Sequence, residues 1–355
     1  MMHSTARIAP RVSVVIPCYN YERYVGLAIE SALKQSLAPN EIIVVDDGST
    51  DGSASVIARF PEVRYLFQKN QGHVAAFNHG YAHSAGDIVL FLDADDHLDP
   101  KAIGEVVRHW QAGCAKLQYE LNVIDENGQP LGRHFCNYPA GYDSRSVREE
   151  FGRFGTYQWP VCTGNAYARW FLDKLMPLQV TIAPDGFLNT LAPVYGDVVV
   201  VDKVLGHYRL HTQNQSYHGT DKNRMDLRFT KQIGLRASEF VGLREHARHN
   251  GVALPDNNLL DNEIVFINYR LMVKKLGGRY EGMQADTVRG LYWQALLQLL
   301  ARPLRARTRW THWMWFSALA LSPRPLARAL IMLRFNRAQY LQRFRRPAVA
   351  PQPHA

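Results

Sequence analysis

Apolar and polar positions alternate along the first hundred residues with two periods in turn, which predicts strands separated by short helices. Arg11 to Ile16 reads as a buried strand, followed by Pro17-Cys18-Tyr19-Asn20. Tyr24 to Gln35 then carries apolar residues at helical spacing: Val25, Leu27-Ala28 and Ala32-Leu33. Glu41 to Val45 is a second strand, closed by Asp46-Asp47-Gly48-Ser49-Thr50-Asp51-Gly52. A helix is expected near Ala54 to Phe60, a short strand at Arg64 to Phe67, and a helix from Val74 to Ala85 that ends at Gly86. Ile88 to Leu92 is a further strand and runs into Asp93-Ala94-Asp95-Asp96. This order predicts an α/β fold, with a mostly parallel sheet flanked by helices on both faces.

Ligands of such sheets gather at the carboxyl ends of the strands. The first, second and fourth expected strands each end in a polar, turn-prone cluster, so three clusters share one edge. Beyond Lys116 the pattern loosens into an extended stretch (Leu117 to Ile124), an Asn127-Gly128 turn and aromatic-rich loops from Phe151 to Trp159. Helical spacing returns at residues 221–250, 258–276 and 285–301, with a last helix within 326–346.

Composition narrows the class. With 46% hydrophobic and 21% charged residues, the 355-residue chain is globular and not disordered. Its four cysteines are scattered without a CxxC pair, which suits neither a zinc site nor a disulfide framework and points to a reducing compartment. No uncharged apolar run approaches the ~20 residues that span a bilayer, and the N-terminus carries no secretory-type apolar region. The expectation is a soluble protein or one that lies on a membrane. The net charge of +9 is confined: residues 287–355 hold 12 Arg, no Lys and no acid. The rest is mildly acidic, so no nucleic-acid partner is expected.

Three motifs carry candidate chemistry. Asp93 and Asp95, one residue apart at a strand end, can converge on a hard divalent cation, Mn²⁺ or Mg²⁺, although the same turn could simply cap a helix. Asp47 can accept hydrogen bonds from a base N–H or a ribose hydroxyl, while Gly48 and Ser49 also suit plain turn chemistry. Pro17 and Tyr19 form a rigid turn with an aromatic wall for a planar base. Neither GxGxxG nor GxxxxGK[ST] is present, so a diphosphate would be neutralised by metal instead of by a glycine cradle.

Together with Asn70-Gln71-Gly72, Ala76-Phe77-Asn78-His79-Gly80 and Ala85-Gly86-Asp87, these motifs resemble, in order, the family-2 inverting glycosyltransferases. The resemblance covers roughly residues 11–218. It implies a GT-A-like domain: residues 1–115 as the nucleotide-sugar-binding half, 116–220 as the acceptor-binding half, and 221–355 as a helical C-terminal appendage with a basic, aromatic-rich tail. It further implies a nucleotide-sugar donor, most often a UDP-sugar. Asp95 would hold the metal, Asp93 would face the ribose or diphosphate, and Ala94 would lie between them in the donor site. Pro17, Tyr19 and Asp47 would line the nucleoside pocket.

The same resemblance makes Asp185 the expected general base and His211, in Tyr208-Arg209-x-His211, a candidate for the metal shell. Asp185 could equally cap a helix, and His211 could belong to a plain strand. Two positions depart from the family: Phe77 stands where many relatives carry Arg, and Pro184 replaces the first acid of the usual pair.

The expected reaction is sugar transfer with inversion to a saccharide or lipid-linked acceptor, in cell-surface polysaccharide or glycolipid synthesis. It would take place in the cytoplasm or peripherally on the cytoplasmic membrane face. The main alternative is a catalytically silent nucleotide-sugar-binding scaffold. A nucleotidyltransferase is disfavoured because no basic Gly-rich loop follows the first strand. In the tail, Arg302, Arg305, Arg307 and Arg309 lead into Trp310, Trp313, Trp315 and Phe316, a mixture suited to an anionic bilayer surface. Packing of those aromatics on the catalytic domain is the competing expectation, with nucleic acid the least favoured partner for the tail.

Overall fold

A computed structural model describes residues 9–180, 183–211, 214, 225–302 and 304–335. The chain divides into two units: Met1–Ser216 with Glu239–Asp256, and Tyr217–Ser238 with Asn257–Ala355. In chain order the first unit contains β1 (Val12–Cys18), α1 (Val25–Leu33), β2 (Glu41–Asp46), α2 (Ser53–Ile57), β3 (Arg64–Phe67), α3 (His73–Ala82) and β4 (Ile88–Phe91). It continues with β5 (His97–Leu98), α4 (Ala102–His109), β6 (Cys114–Ile124), β7 (Pro130–Phe135), α5 (Ser144–Phe154), β8 (Asn165–Ala168), α6 (Arg169–Leu172), α7 (Pro184–Tyr195) and β9 (Asp197–Arg209). Helix α8 (Met225–His249) opens in the second unit and ends in the first. The second unit holds α9 (Ile264–Leu276), α10 (Val288–Ala301), α11 (Ala306–Leu321) and α12 (Arg324–Phe335).

The strands form one sheet in the order β3-β2-β1-β4-β8-β6-β9-β5, with β7 paired to β6. The pairs β3/β2, β2/β1, β1/β4 and β6/β9 are parallel, as the strand–helix alternation predicts. Strand β8 runs antiparallel between β4 and β6, which joins the two parallel blocks. All seven residues of β1 are buried, the mark of a strand covered on both faces. Val14, Ile16, Val44 and Leu90 pack with Val25, Ala28 and Ile29 of α1. The opposite face receives α3: a Cβ at Gly80 would lie 2.3 Å from Val15 Cγ1, so only glycine permits this approach.

Helix α11 is not singled out by apolar period, because aromatic residues occupy more than one of its faces. The expected last helix is present as α12, and its continuation to 346 lies outside the described residues, as do residues 221–224 of the helix expected at 221–250. In the second unit Ile267, Leu271, Leu291, Ala295, Phe316, Leu319 and Ile331 are buried. Arg270 lies between Asp261 and Asp286, and Arg236 pairs with Glu263. The tail expectation needs one correction here. Phe316 is fully buried, and Trp315 donates its indole N–H to Asn268 Oδ1 at 2.7 Å, so both pack inside the second unit.

Candidate active site

The turns after β1 and β2 are stitched together by side chains. The amide of Asn20 donates to Ser49 Oγ (3.0 Å), the amide of Thr50 to Asn20 Oδ1 (2.7 Å), and the amide of Tyr21 to Ser53 Oγ (2.9 Å). Gly48 turns with φ 73°, and a Cβ there would meet the Asn70 amide at 2.7 Å. Asp47 holds the 68–72 loop: its Oδ1 accepts from Gln68 Nε2 and the Gln71 amide, and its Oδ2 from the Gly72 amide. A carboxylate offers about four acceptor positions, so three are filled and one is left for a ligand donor. Pro17 lies buried in β1 opposite Val45, while Tyr19 is 43% exposed at the lip of the same turn.

At the end of β4, ligand atoms of Asp93, Asp95 and Asp96 lie within 4.8 Å of one another. Their partners separate their roles. Asp96 is engaged on both oxygens: Oδ1 accepts from the Arg209 amide (2.8 Å) and Oδ2 from Thr163 Oγ1 (2.6 Å). Asp95 receives both of its side-chain bonds on Oδ2, from Asn214 Nδ2 (3.1 Å) and at 2.8 Å from His211 Nε2. Arg209 Nε donates to the Asp95 carbonyl and fixes the turn from behind. Ala94 is buried with the core, so only its backbone can face a donor. Burial first, and then the negative charges of Asp95 and Asp185, push the Asp93 pKa well above the carboxylate range. Burial also pushes up Asp96, with Asp95 and Asp93 adding to it.

These donors fit a hard cation. All are carboxylate oxygens or imidazole nitrogen, and carboxylates brought this close repel one another, which a cation among them relieves. Six-coordinate Mg²⁺ with bonds of about 2.0–2.1 Å places neighbouring ligands about 2.9 Å apart, close to the 2.8 Å between His211 Nε2 and Asp95 Oδ2. Tyr21 and Tyr24 hold the His211 ring at centroid distances of 6.0 and 5.1 Å.

Asp185 occupies the first turn of α7. The cap position belongs to Ala183 and the first helical position to Pro184, where a proline costs no hydrogen bond. The N-cap reading of Asp185 is therefore corrected, and Pro184 has a structural reason. Burial raises the Asp185 pKa, while amide donors, including those of Gly186 and Cys162, and the cation of Lys116 hold it down. Lys116 is completely buried and donates to Gln118 Oε1 (2.9 Å) and Tyr157 Oη (3.1 Å). Tyr157 in turn donates to the Asn189 carbonyl in α7.

The sequence-derived residues thus converge in two groups: Pro17, Tyr19 and Asp47 at the first two strand ends, and Asp93, Asp95 and His211 at the fourth. Asp185 joins the second group electrostatically. Sequence reasoning missed His73, Thr163 and Lys116. His73 opens α3, its Nε2 is 3.7 Å from Asp93 Oδ1, and its buried Nδ1 has no protein partner. Burial pushes its pKa down to about 4, so the ring is neutral at neutral pH. A histidine directly after the Asn70-Gln71-Gly72 turn was the available signal. Phe77, at the family's arginine position, is fully buried and stacks on Phe91 at 4.1 Å.

An uncharacterized glycosyltransferase of Nostoc sp. is 34% identical over 214 residues, 58% of this chain and 66% of the relative. A chondroitin synthase of Escherichia coli is 38% identical over 174 residues, 45% of this chain and 25% of the synthase. The chain therefore matches two thirds or less of the length of these curated relatives. Among solved structures, S. aureus TarS 1-349 in complex with UDP-GlcNAc aligns with TM-score 0.48 and 17% identity, covering 91% of this chain and 92% of that one. Residues 13–170, which span β1 to β8 and the whole aspartate turn, match the family described as Glycosyl transferase family 2, and this part of the chain belongs to that family.

Proposed function

We propose that this chain transfers a sugar from a UDP-sugar to an acceptor hydroxyl with inversion, and that it requires a divalent cation. The observation that carries the reading is the convergence of Asp93, Asp95 and His211 at the strand edge that also carries Asp47 and Tyr19. Mn²⁺ or Mg²⁺ bound there would offset charge on the departing diphosphate. Asp93, Asp95 and His211 would hold it.

The remaining steps belong to the protein. Asp47 accepts a base or ribose donor on its open position, and Tyr19 covers the nucleoside. Asp185 accepts the acceptor proton on a carboxylate oxygen as the hydroxyl attacks the anomeric carbon from the face opposite the diphosphate. Its raised pKa strengthens it as a base. A single displacement of this kind inverts the anomeric centre through an oxocarbenium-like transition state. The likeness to a chondroitin synthase favours a saccharide or lipid-linked acceptor in polysaccharide or glycolipid synthesis. The free cysteines favour the cytoplasmic side.

A nucleotide-sugar screen with Mn²⁺, scored by thermal shift and by diphosphate release, tests the donor and the metal together. The reading requires Asp185→Asn to bind donor normally and to lose transfer. Donor binding without turnover in the unmodified chain, unchanged by Asp185→Asn, would instead establish a scaffold.

A further inference from the structure

We propose that the outward faces of α10 and α11 dock on the surface of an anionic lipid bilayer. On α10 the positions that face solvent are Arg289, Trp293, Leu297 and Leu300, spaced four, four and three residues apart. The three apolar ones are 54%, 63% and 72% exposed, whereas Leu291, Ala295 and Leu299 fill the buried side. On α11 the exposed line is Arg307, Trp310, Met314 and Leu321, flanked by Trp313, with Phe316 and Leu319 buried opposite. Leu321 is 83% and Trp310 61% exposed. A surface helix ordinarily presents polar residues outward, and both of these present apolar ones. Tyr292 Oη and Ser317 Oγ, 3.0 Å apart, join the two helices beside these lines.

Charge identifies the occupant. Residues 287–335 contain eight Arg and no Lys, Asp or Glu. Arg289 and Arg307 begin the two apolar lines. A second copy of this chain would bring a like-charged face against it, which opposes self-association. Single-stranded nucleic acid would use arginine and tryptophan but has no use for exposed Leu297, Leu300, Met314 and Leu321. A bilayer interface uses all three: headgroups for arginine, the interfacial zone for indoles, and the acyl boundary for leucine. No helix among the described residues is long and apolar enough to cross a membrane, so the contact lies in the plane of the surface. The structure also redraws the set expected from sequence, removing Trp315 and Phe316 and adding Trp293, Leu297 and Leu300.

The test is co-sedimentation of the full chain with phosphatidylcholine vesicles, with and without phosphatidylglycerol. Binding should require phosphatidylglycerol and should shift tryptophan emission to the blue. The triple variant Trp293→Ser/Leu297→Ser/Trp310→Ser should lower the partition coefficient by about tenfold or more. Arg289→Gln/Arg307→Gln should lower it by a comparable factor, each arginine contributing about fivefold. Exposed positions keep both variants folded, which thermal melts verify, and donor hydrolysis without vesicles should be unchanged. The hydrolysis control separates failure here from failure of the transfer reading. Absence of binding by the parent, or binding by both variants as tight as the parent's, overturns the proposal. So does lipid-free self-association that the triple variant abolishes, or salt-sensitive RNA capture in place of vesicle binding.

Discussion

His211 Nε2 and Asp95 Oδ2 lie 2.8 Å apart, both almost entirely buried, with Asn214 supporting the same carboxylate oxygen. The same two atoms are spaced as neighbouring ligands of one ion, so loading requires little movement. His211→Ala should therefore lower Mn²⁺ affinity about 10–100-fold, with little change in fold because Asn214 still orients Asp95. Isothermal titration measures it. An unchanged affinity would remove His211 from the metal shell.

The aspartate turn is built at a cost to stability. The folded pKa of Asp93 is raised above an unfolded value of about 3.9, so between the two the native chain binds the extra proton. This carboxylate's contribution therefore worsens as pH rises through the folded value. His73 and His97, pushed down to about 4, act in the opposite direction, and their contribution is lost as pH falls below about 6.5. Comparison with Asp93→Asn isolates the carboxylate. The metal-free variant should melt above the parent at pH 8, by about 2–4 °C for each kcal/mol relieved. The gap should close as pH falls towards the unfolded value. Thermal melts across pH decide it, and a variant that melts lower at pH 8 contradicts the account.

Much of this was legible in the sequence, and the reasons are specific. Val12–Cys18, Glu41–Asp46 and Ile88–Phe91 are continuous apolar runs, so their burial and their polar exits at Asp47 and Asp93 follow from local pattern. Pairings that span long stretches of chain left no such mark. Nothing near Asp96 announces Thr163 or Arg209, which bond its two carboxylate oxygens from elements far along the chain. The antiparallel insertion of β8 between β4 and β6 depends on those same long-range contacts. Lys116 resembles any polar residue in a half-exposed strand, and only the packing of Tyr157 and Gln118 buries it. Phe77 was visible as a departure, but its cause, the stack on Phe91, was not.

That stack yields a prediction about the donor. Phe77→Arg would place a guanidinium in a fully buried aromatic stack, so it should cost several kcal/mol of stability and restore no diphosphate contact. His73, one helical turn earlier, packs edge-on against Phe77 and keeps a buried Nδ1 without a protein partner. A neutral imidazole at a helix N-terminus is suited to donate to a phosphate oxygen. His73→Leu should accordingly weaken UDP binding about tenfold, the worth of one hydrogen bond to a charged group, with a near-parental melting temperature. Unchanged UDP affinity in a folded variant would assign His73 a packing role alone.

Lys116 gives the sharpest reading of the base. Its burial drives its own pKa well down, and its positive charge favours the Asp185 carboxylate. Lys116→Met keeps the volume and removes the charge, so the Asp185 pKa should rise. The acid limb of kcat against pH should then move to higher pH, while the plateau at alkaline pH changes little. Stability should change by only about 1–3 kcal/mol, because the charge relieved offsets the Gln118 and Tyr157 oxygens left without their donor. A purely structural lysine would lower kcat equally at every pH. An acid limb that stays in place would separate Lys116 from the base, whatever the variant does to overall rate.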